Sequence, residues 1–179
     1  DELGKRFPEI CFVRCFMDPI MRKSGLTPDQ KLRLSMYDPL KKGTVTEEGQ
    51  RRISILGSDF ALDETSDLKR LLRCNDYQIK ESPVCESWED YLSLSDCRMM
   101  LNCYPSGKAG TEWAAERLGR PFMYLPSCFD YDEFIGQLEA LSESMELLGV
   151  LDYEGEKESC EAALHEALLE VGDWPIAID

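Results

Sequence analysis

Short apolar segments alternate with amphipathic segments from residue 51 onward, and this alternation is the feature that most limits the possible folds. Four apolar segments are predicted to be strands, at residues 53–57, 77–80, 98–103 and 121–125. Apolar residues recur with a helical period between and after them, at residues 64–74, 88–94, 107–118, 130–148 and about 156–171. Strands that alternate with helices pair in parallel, so the sequence predicts an α/β fold with a doubly wound parallel sheet in three αβα layers, Rossmann-like or flavodoxin-like.

Further elements are predicted on both sides of this region. The apolar residues 10–15 are expected to form a buried strand, residues 41–50 a polar surface linker, and residues 174–178 a final strand. Thr27 as N-cap and Pro28 at the first helical position predict a helix that ends near Asp38.

The predicted elements suggest that the 179 residues are a piece of a longer protein, because the chain is expected to begin and end within elements. The expected organisation is the end of a preceding domain with a linker helix at residues 1–50, a Rossmann-like middle domain at 51–150, and a connecting helix with the first strand of a following domain at 151–179.

Charge excludes some classes of partner. The chain carries 35 acidic residues against 20 Lys and Arg, which gives a net charge of −15. Such a charge repels phosphate backbones and anionic lipid, so neither nucleic acid nor a membrane surface is an expected partner. No apolar run approaches the roughly 20 residues of a membrane-spanning helix.

Eight cysteines are present, but no two of them have the C-x-x-C spacing of zinc or ferredoxin-type sites. Most are therefore expected to be buried thiols in a reducing, cytoplasmic compartment. Cys103 differs because it ends a predicted strand, where α/β sheets place ligands. Its position is compatible with a structural thiol and also with a ligand to a soft metal or iron–sulfur group.

Other site types lack support. Gly57 follows a predicted strand, but acidic residues crowd the start of the next helix and would repel a phosphate. His165 is the only histidine and lies in an acidic helix, so a Ser-His-Asp or Cys-His site is not expected.

Between residues 101 and 141 the chain carries a leucine–asparagine–cysteine–tyrosine–x–serine segment (101–106), a helix, and a glycine–x–proline entry (119–121) to the next strand. These motifs resemble nitrogenase component 1, the family of molybdenum–iron protein subunits, their cofactor-assembly scaffolds and the dark-operative reductases of tetrapyrrole synthesis. Shorter likenesses occur at residues 13–15, 53–57 and 67–72. The resemblance implies three Rossmann-like domains per subunit, paired in α2β2 assemblies.

The resemblance also implies a site. Cys103 matches the cysteine that ligates the catalytic iron–sulfur cofactor, and Tyr104 and Ser106 follow it in the same motif. The loop at residues 16–25 matches a segment that lines the cofactor, and its candidate residues here are Met17, Asp18, Arg22, Lys23 and Ser24. That loop has neither the glutamine nor the histidine of the catalytic subunit, which favours a divergent homologue with a different cluster or substrate.

The implied function is therefore that of a nitrogenase-like oxidoreductase subunit, with an iron–sulfur cluster bound in the full-length protein. Its implied partners are a homologous second subunit and an ATP-dependent iron–sulfur reductase that supplies electrons. The fragment alone is expected to be inactive and to hold no cluster, because one thiolate cannot retain it. Two alternatives remain: a non-catalytic scaffold for cluster assembly, and a flavodoxin-like module that binds a small ligand.

Overall fold

The computed structural model describes residues 2–13, 25–148 and 153–172. The chain divides into two compact units, Asp1–Ser127 and Cys128–Asp179. The predicted division at residues 50 and 150 remains a prediction.

A four-stranded parallel sheet forms the centre of the first unit. Its strands are β1 (Arg52–Ile55), β2 (Gln78–Glu81), β3 (Met99–Asn102) and β4 (Phe122–Tyr124), in the spatial order β2-β1-β3-β4. The chain therefore moves outward in one direction from β1 to β2 and in the other from β3 to β4. This confirms the predicted doubly wound α/β fold and places the topological switch point between β1 and β3.

The described part of the first unit also contains five helices: α1 (Glu2–Arg6), α2 (Pro28–Tyr37), α3 (Asp67–Cys74), α4 (Trp88–Leu92) and α5 (Lys108–Leu118). The three helices predicted between strands are present. In each of them one end is at the predicted residue, and the other differs from the prediction by one to three residues. Single 3₁₀ turns lie at Gly49–Arg51, Ser82–Val84, Ser93–Ser95 and Pro105–Gly107.

Local sequence signals account for the ends of α2 and α5. Thr27 Oγ1 accepts the amide of Gln30 at 3.2 Å, and Gln30 Oε1 accepts the amide of Thr27 at 2.9 Å, which completes a capping box. Helix α5 ends at Leu118 and is capped by Gly119. The φ of Gly119 is +67°, a left-handed conformation that glycine adopts at low cost.

One face of the sheet is covered by α2 and α5, which pack closely together. A Cβ atom on Gly110 of α5 would lie 3.1 Å from the backbone nitrogen of Leu34 in α2, so the helices approach at a point where a side chain would crowd them. The core between these helices and the sheet contains Tyr37, Leu40, Leu56, Leu94, Cys97, Met100, Ala114, Ala115 and Leu118. This packing fixes α2 beside the carboxyl end of the sheet.

The second unit contains α6 (Tyr131–Met145) and α7 (Tyr153–Val171). Asp130 caps α6 by accepting the Glu133 amide at 2.9 Å. Lys157 of α7 pairs with Asp132 of α6 at 2.9 Å. The helical period of apolar residues predicted α7, but no residue of this helix is buried.

The predicted strand at residues 10–15 is wrong in its described part. Residues 11–13 form no strand, and Phe12 and Val13 are each 38 % exposed. An apolar run becomes a strand only where another strand pairs with it, and the four-stranded sheet does not extend to these residues. Residues 14–15 and the predicted strand at 174–178 lie outside the described residues.

Among the described residues, no helix has both the length and the apolar character needed to cross a membrane.

Candidate functional site

The loops that follow β1 and β3 meet at the switch point. A Cβ atom on Gly107 would lie 2.4 Å from both Cα and the carbonyl oxygen of Gly57. Gly57 also has a φ of +86°, a conformation that other residues rarely adopt. The two glycines therefore allow the loops to touch, and this contact forms the base of the candidate site.

Asn102 lies beneath this contact and is fully buried. Its Nδ2 donates to the carbonyl of Leu56 at 2.7 Å, while its Oδ1 has no hydrogen-bond partner among the described residues. A side chain on Gly57 would come within 2.2 Å of the same Nδ2 atom. Asn102 thus ties the end of β3 to the end of β1.

Arg33 links α2 to both loops. Its guanidinium donates to the Gly57 carbonyl at 3.0 Å and to Asp59 at 2.9 Å, and it also pairs with Asp29 of its own helix at 3.2 Å. The same group lies 5.7 Å from the centre of the Tyr104 ring. Arg33 is 7 % exposed, so these contacts satisfy a charge that is almost removed from water.

Ser106 and Asp29 approach each other on this side of the site. Ser106 Oγ is shielded from solvent and makes no hydrogen bond of ordinary geometry with any residue that the structure describes. It lies near enough to Asp29, however, that it acts with Arg33 to hold the pKa of the Asp29 carboxyl below its usual value. Asp29 therefore remains ionised at neutral pH and neutralises part of the Arg33 charge.

Cys103 follows β3 directly and lies on the other face of the sheet. The register aligns Glu81 of β2, Ile55 of β1 and Leu101 of β3, so their side chains share a face, and alternation puts Cys103 on it too. Cys103 is 9 % exposed. Burial, with a smaller contribution from the charge of Glu81, raises the pKa of its thiol to about 11.

Glu81 belongs to a buried ion pair. Its carboxylate meets Lys69 of α3 at 2.5 Å, and the two residues are 5 % and 1 % exposed. Lys69 also donates to the Leu62 carbonyl and to Glu64, each at 2.7 Å, and Glu81 accepts the Leu62 amide at 2.8 Å. Burial opposes the charge of Lys69, but its two acidic partners outweigh that effect and raise the pKa of the ammonium.

The structure brings together three of the predicted site residues. Cys103, Tyr104 and Ser106 lie on the loop between β3 and α5, with Tyr104 toward Arg33 and Cys103 toward Glu81. The other candidates, Met17, Asp18, Arg22, Lys23 and Ser24, lie outside the described residues.

Sequence reasoning missed the charged residues that support these loops. Arg33 looked like an ordinary helix residue, because its partners at Gly57 and Asp59 are more than 20 positions away. Lys69 adjoins the inward leucines of α3, and this charged residue among apolar ones was the available signal for a buried pair. Glu81 gave no such signal, because its strand also contains Gln78 and Lys80.

The described residues supply few of the ligands that a metal centre needs. Within the described ranges, no three His, Cys, Asp or Glu side chains cluster in a way that could hold an ion. Cys103 can supply one sulfur ligand, which is the type that iron–sulfur groups require. The described residues therefore fit one corner of a cluster site, and its other ligands are not among them.

Cys103 is expected to react slowly in the folded protein. Raising a thiol pKa from 9.0 to about 11 lowers the thiolate fraction at pH 8 by roughly 100-fold, and burial slows access further. Mass spectrometry of iodoacetamide-treated protein should show Cys103 alkylated at least about 100-fold more slowly than in urea. The native rate should continue to rise with pH up to about 11. A native rate that levels off near pH 8 would contradict this assignment.

Comparison of the chain with protein-family models, with curated proteins and with solved structures finds no match in any of the three.

Proposed function

We propose that this chain is part of a nitrogenase-like oxidoreductase subunit that acts in the cytoplasm and binds an iron–sulfur metallocluster in its full-length form. One observation carries the proposal: Cys103 follows β3 at the switch point of a doubly wound sheet and belongs to the motif through which the sequence resembles that family. Ligands of open α/β sheets bind outside the carboxyl ends of the strands at such a point.

The protein's own contribution to this site is the presentation of one sulfur atom. The strand ends in the buried Asn102, whose side-chain Nδ2 donates a hydrogen bond to the Leu56 carbonyl and so fixes the backbone from which Cys103 projects. The thiol is protonated when nothing is bound, because its pKa is about 11, so a metal that binds there must displace a proton. An iron–sulfur cluster, when bound, supplies a site that stores and transfers electrons.

The proposed partners are a homologous second subunit and an ATP-dependent iron–sulfur reductase. Both come from the family resemblance of residues 101–141. The net charge of −15 opposes nucleic acid as a partner, since an acidic surface repels a phosphate backbone.

The test is the metal content of the full-length protein, purified without oxygen. Cys103→Ala is expected to lose most of its iron and acid-labile sulfide relative to the unmodified protein. Cys74→Ala is the matched control, because Cys74 is an exposed cysteine at the end of α3. Equal iron and sulfide contents in all three proteins would remove Cys103 as a ligand.

A non-catalytic assembly scaffold is the second candidate. The observation that favours it is the composition of residues 16–25, which contain neither histidine nor glutamine. A scaffold would bind the cluster through Cys103 and pass it on without reducing a substrate. Reduction of a substrate by the complete complex with its reductase would exclude the scaffold, whereas cluster transfer without reduction would support it.

The charges at the switch point argue against the third candidate, a flavodoxin-like module that binds a small ligand. Arg33 already pairs with two carboxylates, Asp29 and Asp59, so it offers little attraction to a phosphate group. A thermal-shift measurement with flavin mononucleotide is expected to show no stabilisation.

A further inference from the structure

The second half of helix α7 exposes an apolar stripe, which consists of Leu164, Leu168 and Val171. These residues are four and three positions apart, so they lie on one face of the helix. Leu164 and Leu168 are 57 % and 52 % exposed, and every residue from 158 to 172 is exposed. A contiguous row of exposed apolar side chains indicates a surface that another element covers.

The same face of α7 packs against α6 over its first two turns. Tyr153 and Lys157 precede the stripe with the same helical spacing. The Tyr153 ring meets the Phe134 ring edge to face, with 6.4 Å between the ring centres, and Lys157 pairs with Asp132 at 2.9 Å. Because Tyr153 meets the later residue of α6 and Lys157 the earlier one, the two helices run antiparallel.

Helix α6 covers this face only as far as Cys160. Helix α6 begins at Tyr131, whose side chain lies within hydrogen-bonding reach of the Cys160 thiol. Since the helices are antiparallel, the residues of α7 that follow Cys160 run past the first residue of α6. The stripe therefore continues a face that already packs against a helix, and it extends for about 11 Å from Leu164 to Val171.

The charges beside the stripe indicate what fits it. Residues 158–172 contain four glutamates and no lysine or arginine. Glu161 borders the stripe on the side of Leu168, which follows it by two helical turns. Glu170 borders the opposite side, one turn after Ala167. Two copies of α7 packed on this face would bring glutamates together, and the net charge of −15 adds to the repulsion.

We propose that the stripe is a docking surface for an amphipathic helix of another protein, in which lysine or arginine flanks a row of apolar residues. The apolar side chains of the partner cover Leu164, Leu168 and Val171, as α6 covers the preceding turns. Its cations lie beside Glu161 and Glu170, which gives the interface its selectivity. The proposal does not depend on the function proposed for Cys103.

Two synthetic helical peptides of about 18 residues, or five turns, serve as probes for the 179-residue chain. Both peptides carry leucines at spacings of three and four residues. One peptide has lysine at the flanking positions and the other has glutamate. Fluorescence anisotropy should show the lysine peptide binding at least about 10-fold more tightly than the glutamate peptide.

The variant Leu164→Gln/Leu168→Gln removes the apolar contact without changing the charge, and glutamine favours a helix about as well as leucine. It should bind the lysine peptide at least about 10-fold more weakly. Phe60→Gln is the matched control, because it replaces an exposed apolar residue in the loop between β1 and α3. Circular dichroism establishes that both variants are folded. Unchanged binding by the leucine variant would overturn the proposal.

A pair of charge reversals tests the selectivity. Glu161→Lys/Glu170→Lys should reverse the preference, so that the glutamate peptide binds more tightly. Glu139→Lys/Glu143→Lys makes the same change in net charge at exposed residues of α6 and should retain the preference for the lysine peptide. If both pairs have the same effect, the peptides respond to total charge and not to the stripe, and the proposal fails.

Measurements without peptide distinguish the other occupants. Sedimentation should find the unmodified chain monomeric, and Leu164→Gln/Leu168→Gln should unfold at the unmodified temperature. A dimer that the leucine variant dissociates would show that a second copy covers the stripe. A lower unfolding temperature of a monomeric leucine variant would show that the chain itself covers it. Either result would overturn the proposal.

Discussion

Gly107→Ala is expected to destabilise the protein by about 3 kcal/mol or more, because a methyl group has no room there. The new Cβ would lie 2.4 Å from two backbone atoms of Gly57, and backbone atoms cannot move aside as a flexible side chain can. The φ of Gly107 is −83°, which alanine adopts freely, so the whole effect comes from the contact. Chemical denaturation should show the loss as a lower transition midpoint.

Gly136→Ala is the matched control for this prediction. Gly136 lies inside α6, and a Cβ atom there would have no heavy atom within 4 Å. Alanine favours a helix interior over glycine, so this variant should be more stable by up to about 1 kcal/mol. Equal stabilities for Gly107→Ala and the unmodified chain would show that the two loops do not touch.

Lys69→Met is expected to lower the free energy of unfolding by about 3–5 kcal/mol, the usual cost of leaving a buried charge without its partner. Glu81 would remain with its carboxylate 6 % exposed and no cation beside it. Thermal unfolding at neutral pH measures the loss.

Arg73→Met provides the comparison. Arg73 pairs with Glu64, an acidic residue that Lys69 also contacts, but both members of that pair are largely exposed. Exposed pairs contribute at most about 1 kcal/mol, so this variant should unfold near the unmodified midpoint. A loss as large as that of Lys69→Met would show that burial is not what gives the Lys69 pair its importance.

The fold could be predicted because it depends on local patterns. The strands and helices between residues 52 and 145 follow apolar periodicity, and the end of α5 follows from a glycine at the position where the chain reverses. The failure at residues 10–13 has the opposite cause. Whether an apolar run becomes a strand depends on a partner elsewhere in the chain, and the run itself carries no information about that partner.

The site was predictable only in part, for a similar reason. Cys103 could be selected because a strand end is visible in the sequence, whereas Tyr104 and Ser106 were selected only through the family resemblance. The contacts of Arg33 with Gly57 and of Lys69 with Glu81 join segments that are 12 to 24 residues apart, and they depend on how helices lie against the sheet. A charged residue near leucines indicates that a residue of opposite charge lies beside it. The sequence does not indicate which residue that is.

The contact between Gly57 and Gly107 has a consequence for how this protein can change. A side chain at either glycine would clash with the backbone of the other, so a redesign of the site has to change the two loops together. A library that varies Gly57 alone should return mostly unfolded clones. Useful diversity should instead come from residues such as Phe60, whose side chain projects into solvent and can be exchanged without disturbing either loop.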